Sequence, residues 1–274
     1  MEIAVIVVGD EILSGHVQDA NAHFITMRAT ERGHRVRKVT IVSDDPDAIA
    51  GELTRALDQS FPMVFVCGGL GPTHDDRTME GVAAALGRSL EPSPVLRGWV
   101  DRIVGRIEGQ GFTGDQWGFD ALRKMELAPE GAEVVAVPGG YIPAVVATRG
   151  STRIVVLPGP PRELQAIFTS IVEPRYLQPV SEPRHSEEIV HPFFESTVAK
   201  VLAELQARFP STSIGSYPQS DHTLIRVAGP EADAREVVAA VRAHLDVLME
   251  SDEGKRLLAY IDERRARRDS ATSD

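Results

Sequence analysis

Thr73, Asp75, Asp76 and Thr78 place two carboxylates and two hydroxyls within six residues, directly after Gly68, Gly69 and Gly71. Carboxylate pairs hold hard divalent cations. Glycines let a backbone take positive φ and approach a ligand closely, and their amides can then point at an anion. The apolar run Met63 to Cys67 precedes this stretch, and a helical pattern from Met79 to Leu86, stopped by Gly87, follows it. A strand thus feeds a glycine turn, and the turn feeds a helix N-terminus, where phosphate binds readily. The spacing predicts recognition of a nucleotide or phosphate ester together with a divalent metal. The same acids also suit a plainer role, with Asp76 as an N-cap and Asp75 as a turn residue. Neither common phosphate loop matches. A P-loop requires Gly-Lys-Ser/Thr, and no Lys follows Gly71. The dinucleotide fingerprint requires a third glycine where this chain has His74.

The elements that position these groups follow from periodicity and punctuation. Ile3 to Val8 is a continuous β-branched run, suited to a central parallel strand, and Gly9, Asp10 and Glu11 end it. Asp19-Ala20-Asn21 opens a helical pattern to Arg32, Arg35 to Val42 is a second strand, and Asp45-Pro46 starts a helix to Gln59. The first 87 residues therefore alternate strand and helix, which predicts a parallel sheet with right-handed crossovers. Ligands bind beyond the carboxyl ends of such strands, so Gly9–Glu11 and Gly68–Asp76 share one edge. A helix is expected around Val95 to Ile107, with Trp99, Phe112 and Trp117 as local core rather than a stacking platform. Strands are expected at Glu133–Val137, Ala144–Thr148 and Arg153–Leu157. Pro158-Gly159-Pro160-Pro161 then leads into a helix over Arg162 to Val172, either as a third loop on the same edge or as punctuation alone. A linker at Gln178–Pro183 precedes a βαββα segment, which carries no acid cluster or glycine cradle. His191 and His222 read there as packing or surface residues. The expected divisions are 1–177, 184–250 and a polar helical tail at 251–274.

Composition limits the partners. The chain has 274 residues, 42% hydrophobic and 25% charged, as in soluble globular proteins, and at about 150 residues per domain it favours two domains. The net charge is −11, from 29 basic and 40 acidic residues, which repels nucleic acid and anionic membranes. The expected partner is a small molecule. The run Arg264, Arg265, Arg267 and Arg268 reads as a solvated helix face. Cys67 is the single cysteine, so no internal disulfide forms and a cytoplasmic setting is expected. It closes an apolar strand, where a free thiol is buried and inert. The N-terminal MEIAVIVVGD reads as a strand rather than a signal peptide, and no stretch approaches the roughly 20 apolar residues of a membrane span.

Three motifs carry a resemblance. They are Gly9-Asp10-Glu11-Ile12-Leu13-Ser14-Gly15 with Asp19-Ala20-Asn21, then Gly68-Gly69-Leu70-Gly71-Pro72-Thr73-His74-Asp75-Asp76-Arg77-Thr78, then Leu157-Pro158-Gly159-Pro160-Pro161-Arg162-Glu163. Together they resemble the MoaB/Mog-type molybdopterin-binding domain. The second motif points to the competence-damage-inducible (CinA) branch, and Ile214-Gly215-Ser216-Tyr217-Pro218 resembles that branch's small middle domain. The resemblance implies an α/β fold, a three-layer α/β/α sandwich with a mostly parallel sheet, plus a small α+β domain, and a homodimer. It implies an activity similar to a metal-dependent pyrophosphatase acting on ADP-ribose, with a related domain that hydrolyses FAD. In the Mog branch the domain binds and adenylylates molybdopterin. Many CinA proteins also carry an amidase domain, and no amidase function is expected of this sequence. One segment departs: the family's Asn-Pro-x-Gly-Thr-Ala-Pro-Gly is Val137-Pro138-Gly139-Gly140-Tyr141-Ile142-Pro143-Ala144 here.

The expected reaction is hydrolysis of a nucleotide diphosphate bond. Asp75 or Asp76, with help from Asp10, would hold Mg, Mn or Co to polarise a phosphoryl oxygen and activate water. Gly68, Gly69 and Gly71 would cradle the diphosphate, and Asp19 and Asn21 would orient ribose or a bound water. Gly9, Glu11, Pro72, Thr73, Thr78, Pro158, Gly159 and Pro161 complete the expected binding surface. An adenylyltransferase on molybdopterin would use the same cradle. A non-catalytic nucleotide- or pterin-binding module is the other reading, favoured by the altered Val137–Ala144 segment.

Overall fold

Runs that are apolar at every position belong in the middle of a sheet covered on both faces. The computed structural model describes residues 1–114, 118–180 and 184–271 and bears this out. The chain divides into two units, Met1–Val180 and Ser181–Asp274. The first runs β1 (Glu2–Val8), α1 (Asp10–Leu13), α2 (Asn21–Glu31), β2 (Arg35–Val42), α3 (Pro46–Asp58), β3 (Met63–Cys67), α4 (Thr78–Leu86), β4 (Leu90–Pro92), α5 (Pro94–Glu108), α6 (Phe119–Arg123), β5 (Leu127–Pro129), β6 (Glu133–Val135), β7 (Ala144–Arg149), β8 (Thr152–Leu157), α7 (Pro161–Ile167) and α8 (Glu173–Tyr176).

The main sheet has the order β2-β1-β3-β8-β7-β6. β1 pairs in parallel with β2 and β3, and β3 with β8. β7 is antiparallel to both neighbours, so five of the six strands share one direction. The reversal follows from a turn: Arg149 pairs with Thr152, and the two residues between them can only join antiparallel strands. Helices cover both faces. On one, Phe168 meets Phe24 of α2 at 5.6 Å and Phe65 of β3 at 5.4 Å between ring centroids. On the other, α3 and α4 pack so closely that a methyl on Gly81 would lie 2.6 Å from Ile49 Cβ. This is the expected three-layer α/β/α sandwich. The buried Glu173 is held by Arg28 and Arg32, at 2.5 Å each, and ties α8 to α2. β2 lies at the sheet edge. Its Val39 and Ile41 are 48% and 38% exposed, while Arg37 pairs with Glu2 and Lys38 with Glu52.

Some elements differ from expectation. β4 and β5 form a separate two-stranded antiparallel sheet, too short to show a period in sequence. The helix after β8 begins at Pro161 and widens into a π turn over Phe168–Val172. β6 ends at Val135, because Gly139 and Gly140 at positive φ turn the chain away before β7. Phe112 is 40% exposed, not core, and Trp117 lies outside the described residues.

The second unit contains β9 (Arg184–His191), α9 (Glu195–Arg208), β10 (Ser213–Pro218), β11 (Thr223–Pro230), α10 (Glu231–Glu250) and α11 (Asp252–Ala271). Its antiparallel sheet has the order β10-β11-β9. The tail expected as a separate segment is part of this unit. Ile261 of α11 is 2% exposed in the same core as Ile189, Phe193, Val198 and Val237, and Leu257 and Leu258 pack beside it. The arginine run is likewise not wholly solvated: Arg264 covers the Phe194 ring, and Arg265 donates to the Pro192 carbonyl at 3.3 Å. No helix among the described residues is long and apolar enough to cross a membrane.

Candidate functional site

Strand ends set the site. A cavity of about 740 Å³ opens at the carboxyl edge of β1, β2, β3 and β8, in the first unit. Glu11 reaches it from the loop after β1, Asp44 from the loop after β2, and Gly68–Gly71 with Asp75 and Asp76 from the loop after β3. Pro158, Gly159 and Pro160 reach it from the loop after β8, and Pro161 and Glu163 from the first turn of α7. The third loop is therefore part of the site and not mere punctuation. Val17, Trp99, Ile103, Met125 and Ile142 form the rest of the wall.

The glycines are required here. Gly68 has φ +109°, and a Cβ there would overlap the Val8 carbonyl, so only glycine lets the β3 loop lie against the end of β1. Gly69 has φ +60°, and its Cβ would strike the Thr78 hydroxyl. The Gly68 amide is already used, donating to Leu157 O at 3.1 Å, so the expected three-glycine cradle reduces to Gly69 and Gly71.

Thr73 organises the acids. Its amide donates to Asp76 Oδ2 at 2.9 Å, and its hydroxyl touches both Asp75 and Asp76. Its carbonyl accepts from Lys124 Nζ at 2.9 Å. The Thr73 hydroxyl holds the Asp75 carboxyl below the usual carboxylate range, and His74 and Lys124 add to this. Asp44 is shifted the other way. Burial raises its pKa, an accepted hydrogen bond from the Asp10 amide at 2.8 Å opposes the rise, and the charges of Asp10, Glu11 and Asp75 add to it. Negative charge is thus crowded around Asp44.

Among the described residues, no three His, Cys, Asp or Glu side chains form a preformed metal cage. The expected trio of Asp10, Asp75 and Asp76 is corrected to a pair, because Asp10 meets this edge through its backbone amide and does not line the cavity. The pair fits a hard cation that keeps waters and takes substrate phosphate oxygens, as Mg²⁺ does. A hydroxyl carries one proton, so the Thr73 hydroxyl can donate to only one of the two carboxylates at a time, and a cation would relieve the other contact.

Other expected site residues support the loops. Asp19 accepts from the Asn21 amide at 3.0 Å and the Ala22 amide at 3.1 Å, which commits it to the start of α2 rather than to a ribose. Asn21 Nδ2 donates to Gly159 O at 2.7 Å and ties the first loop to the third. Asn21 Oδ1 and Thr78 Oγ1 are buried without a partner among the described residues. Gly9, Pro72 and Thr78 lie outside the lining, and the Gly9 amide donates to Val42 O at 3.1 Å. Cys67 is fully buried, which pushes its thiol pKa far up and leaves it inert, as expected. Asp44 was missed in sequence, although it follows the second strand at the same carboxyl edge that marks the other loops. Lys124 and the apolar wall were missed too, because they come from distant, irregular segments.

A parallel-sheet sandwich with three glycine- and proline-built loops at one edge defines the class. Residues 4–178 match the family described as "Probable molybdopterin binding domain". The chain belongs to this family, as a CinA-like member. A CinA-like protein of Mycobacterium tuberculosis is 33% identical over 214 residues, covering 75% of this chain, which spans 49% of that relative's length. A protein of Archaeoglobus fulgidus is 32% identical over 249 residues, 90% of this chain and 98% of its own. The crystal structure of CinA from Thermoplasma acidophilum, described as of unknown function, superposes with a TM-score of 0.55 at 30% identity, over 65% of this chain and 99% of that one. Residues 183–252 match the middle domain of FAD synthase.

Proposed function

We propose that the first unit is a metal-dependent hydrolase of a nucleotide diphosphate bond, of the ADP-ribose or FAD type. The observation that carries this reading is the convergence of Asp75 and Asp76, which line a cavity large enough for a nucleotide, on the Thr73 hydroxyl. The match of residues 183–252 to a FAD synthase domain supports a nucleotide-related role. A bound divalent cation would polarise a phosphoryl oxygen and lower the pKa of a water. Asp75 and Asp76 would hold it, with Asp44 adding negative charge nearby. Thr73 sets the two carboxylates, and Lys124 fixes Thr73 from behind. Gly69 and Gly71 let the diphosphate approach the backbone.

The test is incubation of the purified chain with ADP-ribose, FAD or NAD and Mg²⁺, Mn²⁺ or Co²⁺, with AMP as the readout. The expected result is AMP release that the Asp76→Asn variant reduces by at least about a hundredfold, with its melting temperature unchanged. Full activity in that variant refutes the assignment. No AMP with any metal favours a binding module instead.

A further inference from the structure

The cavity lining has two chemically different parts, an acidic one and an apolar one. Besides the acids and the loop glycines and prolines, the lining includes Val17, Trp99, Ile103, Met125 and Ile142, none of them ionisable. Trp99 alone among these has a side-chain N–H, and that group already donates to the Gly140 carbonyl at 2.9 Å. The Met125 thioether is a weak acceptor at best. This wall therefore offers area and polarisability but no side-chain hydrogen-bonding code. It is also preformed. Trp99 and Ile142 are 9% and 5% exposed, each held in the main core. A sugar or a bare phosphate would lose hydration against such a surface and gain no partner. A flat ring would gain apolar burial and favourable contact with indole and thioether.

We infer that this wall is a subsite for the aromatic ring of a phosphate ester, and that it reads the ring's area and not its hydrogen-bonding edge. The inference rests on placing the phosphate end at the acidic wall. Sites that discriminate one ring edge from another carry buried donors and acceptors that a wrong ligand leaves unpaired. The described side chains of this wall carry none to spare. Adenine, hypoxanthine and guanine should be accepted alike.

The test is calorimetric titration of the full chain, with Mn²⁺ present, by ADP, IDP, GDP and inorganic pyrophosphate. The three nucleotides are expected to agree within about threefold, with pyrophosphate at least about tenfold weaker. Ile103→Asn and Ile142→Asn should each weaken the nucleotides by about tenfold and leave pyrophosphate unchanged. Ile103 is only partly buried, so its variant remains informative if the Ile142 variant unfolds. The chain has two tryptophans, and in a Trp117→Phe background the Trp99 emission should respond to ADP and not to pyrophosphate. Nucleotides that bind no tighter than pyrophosphate, or not at all, overturn the inference. So does a preference of more than about tenfold between ADP and GDP, or equal weakening of both ligand classes in a folded variant. Absence of AMP release refutes the hydrolase reading alone, because these affinities do not depend on turnover.

Discussion

His191 is 4% exposed, and neither ring nitrogen has a hydrogen-bond partner among the described residues. Burial pushes its pKa below the ordinary 6.5. The unfolded chain therefore binds a proton below that value that the folded second unit does not. Stability of this unit should be unaffected at higher pH and fall as pH drops through 6.5 toward the lowered folded value. His191→Phe removes the titrating group, so a melting series against pH should lose its acid slope in the second unit. An unchanged slope would assign the acid sensitivity elsewhere. Residue chemistry was legible where neighbours in sequence act together. Thr73, Asp75 and Asp76 are such a group. Asp44 and Lys124 were not, because each reaches the site through tertiary contact, one from the end of a strand and one from a single turn beyond α6.

The glycine turn after β3 is the element on which the site geometry depends. Gly69→Ala must force a methyl into the Thr78 hydroxyl at positive φ. It should cost about 1–3 kcal/mol of stability in the first unit. The same change should weaken nucleotide binding, because the strained turn carries Asp75 and Asp76. Chemical denaturation measures the first effect, and a variant as stable as the parent would show that the turn relaxes freely. Long elements were readable in sequence for physical reasons. β1 and β3 are apolar at every position because both faces are covered. α3 announces its start with Asp45, whose side chain accepts from the Asp47 amide, and with Pro46 in the first turn. The pairing of β4 with β5 and the π turn after α7 were not readable. Three residues hold no period, and a one-residue widening of a helix leaves no local mark.

At the scale of the whole molecule, charge sets the terms of binding. A chain of net charge −11, with Glu11, Asp44, Asp75, Asp76 and Glu163 around its cavity, repels a diphosphate. On the proposed reading, a divalent cation would offset that repulsion so that the amides of the glycine turn can act. EDTA should therefore abolish calorimetric ADP binding, and excess Mn²⁺ should restore it. Binding that persists undiminished in EDTA would mean that the backbone alone overcomes the field. The division into two units was also anticipated, and its boundary falls inside the expected 178–183 linker, but the packing of the tail into the second unit was not. The arginine-rich tail looked too polar to pack, and Ile261, Leu257 and Leu258 supply a narrow apolar stripe that polar neighbours mask.

The open flank of β2 bears on how the protein behaves in a crowded tube. Arg37 and Lys38 fold back onto Glu2 and Glu52, which spends their charge locally and leaves Val39 and Ile41 bare beside a strand edge that pairs with no other strand among the described residues. Such an edge is where another strand can add. The shelf life of a concentrated preparation should thus be governed by this flank rather than by thermal stability. Ile41→Lys should slow the growth of scattered light during storage while leaving the melting temperature unchanged. A lowered melting temperature would instead mean that Ile41 contributes packing its exposure conceals.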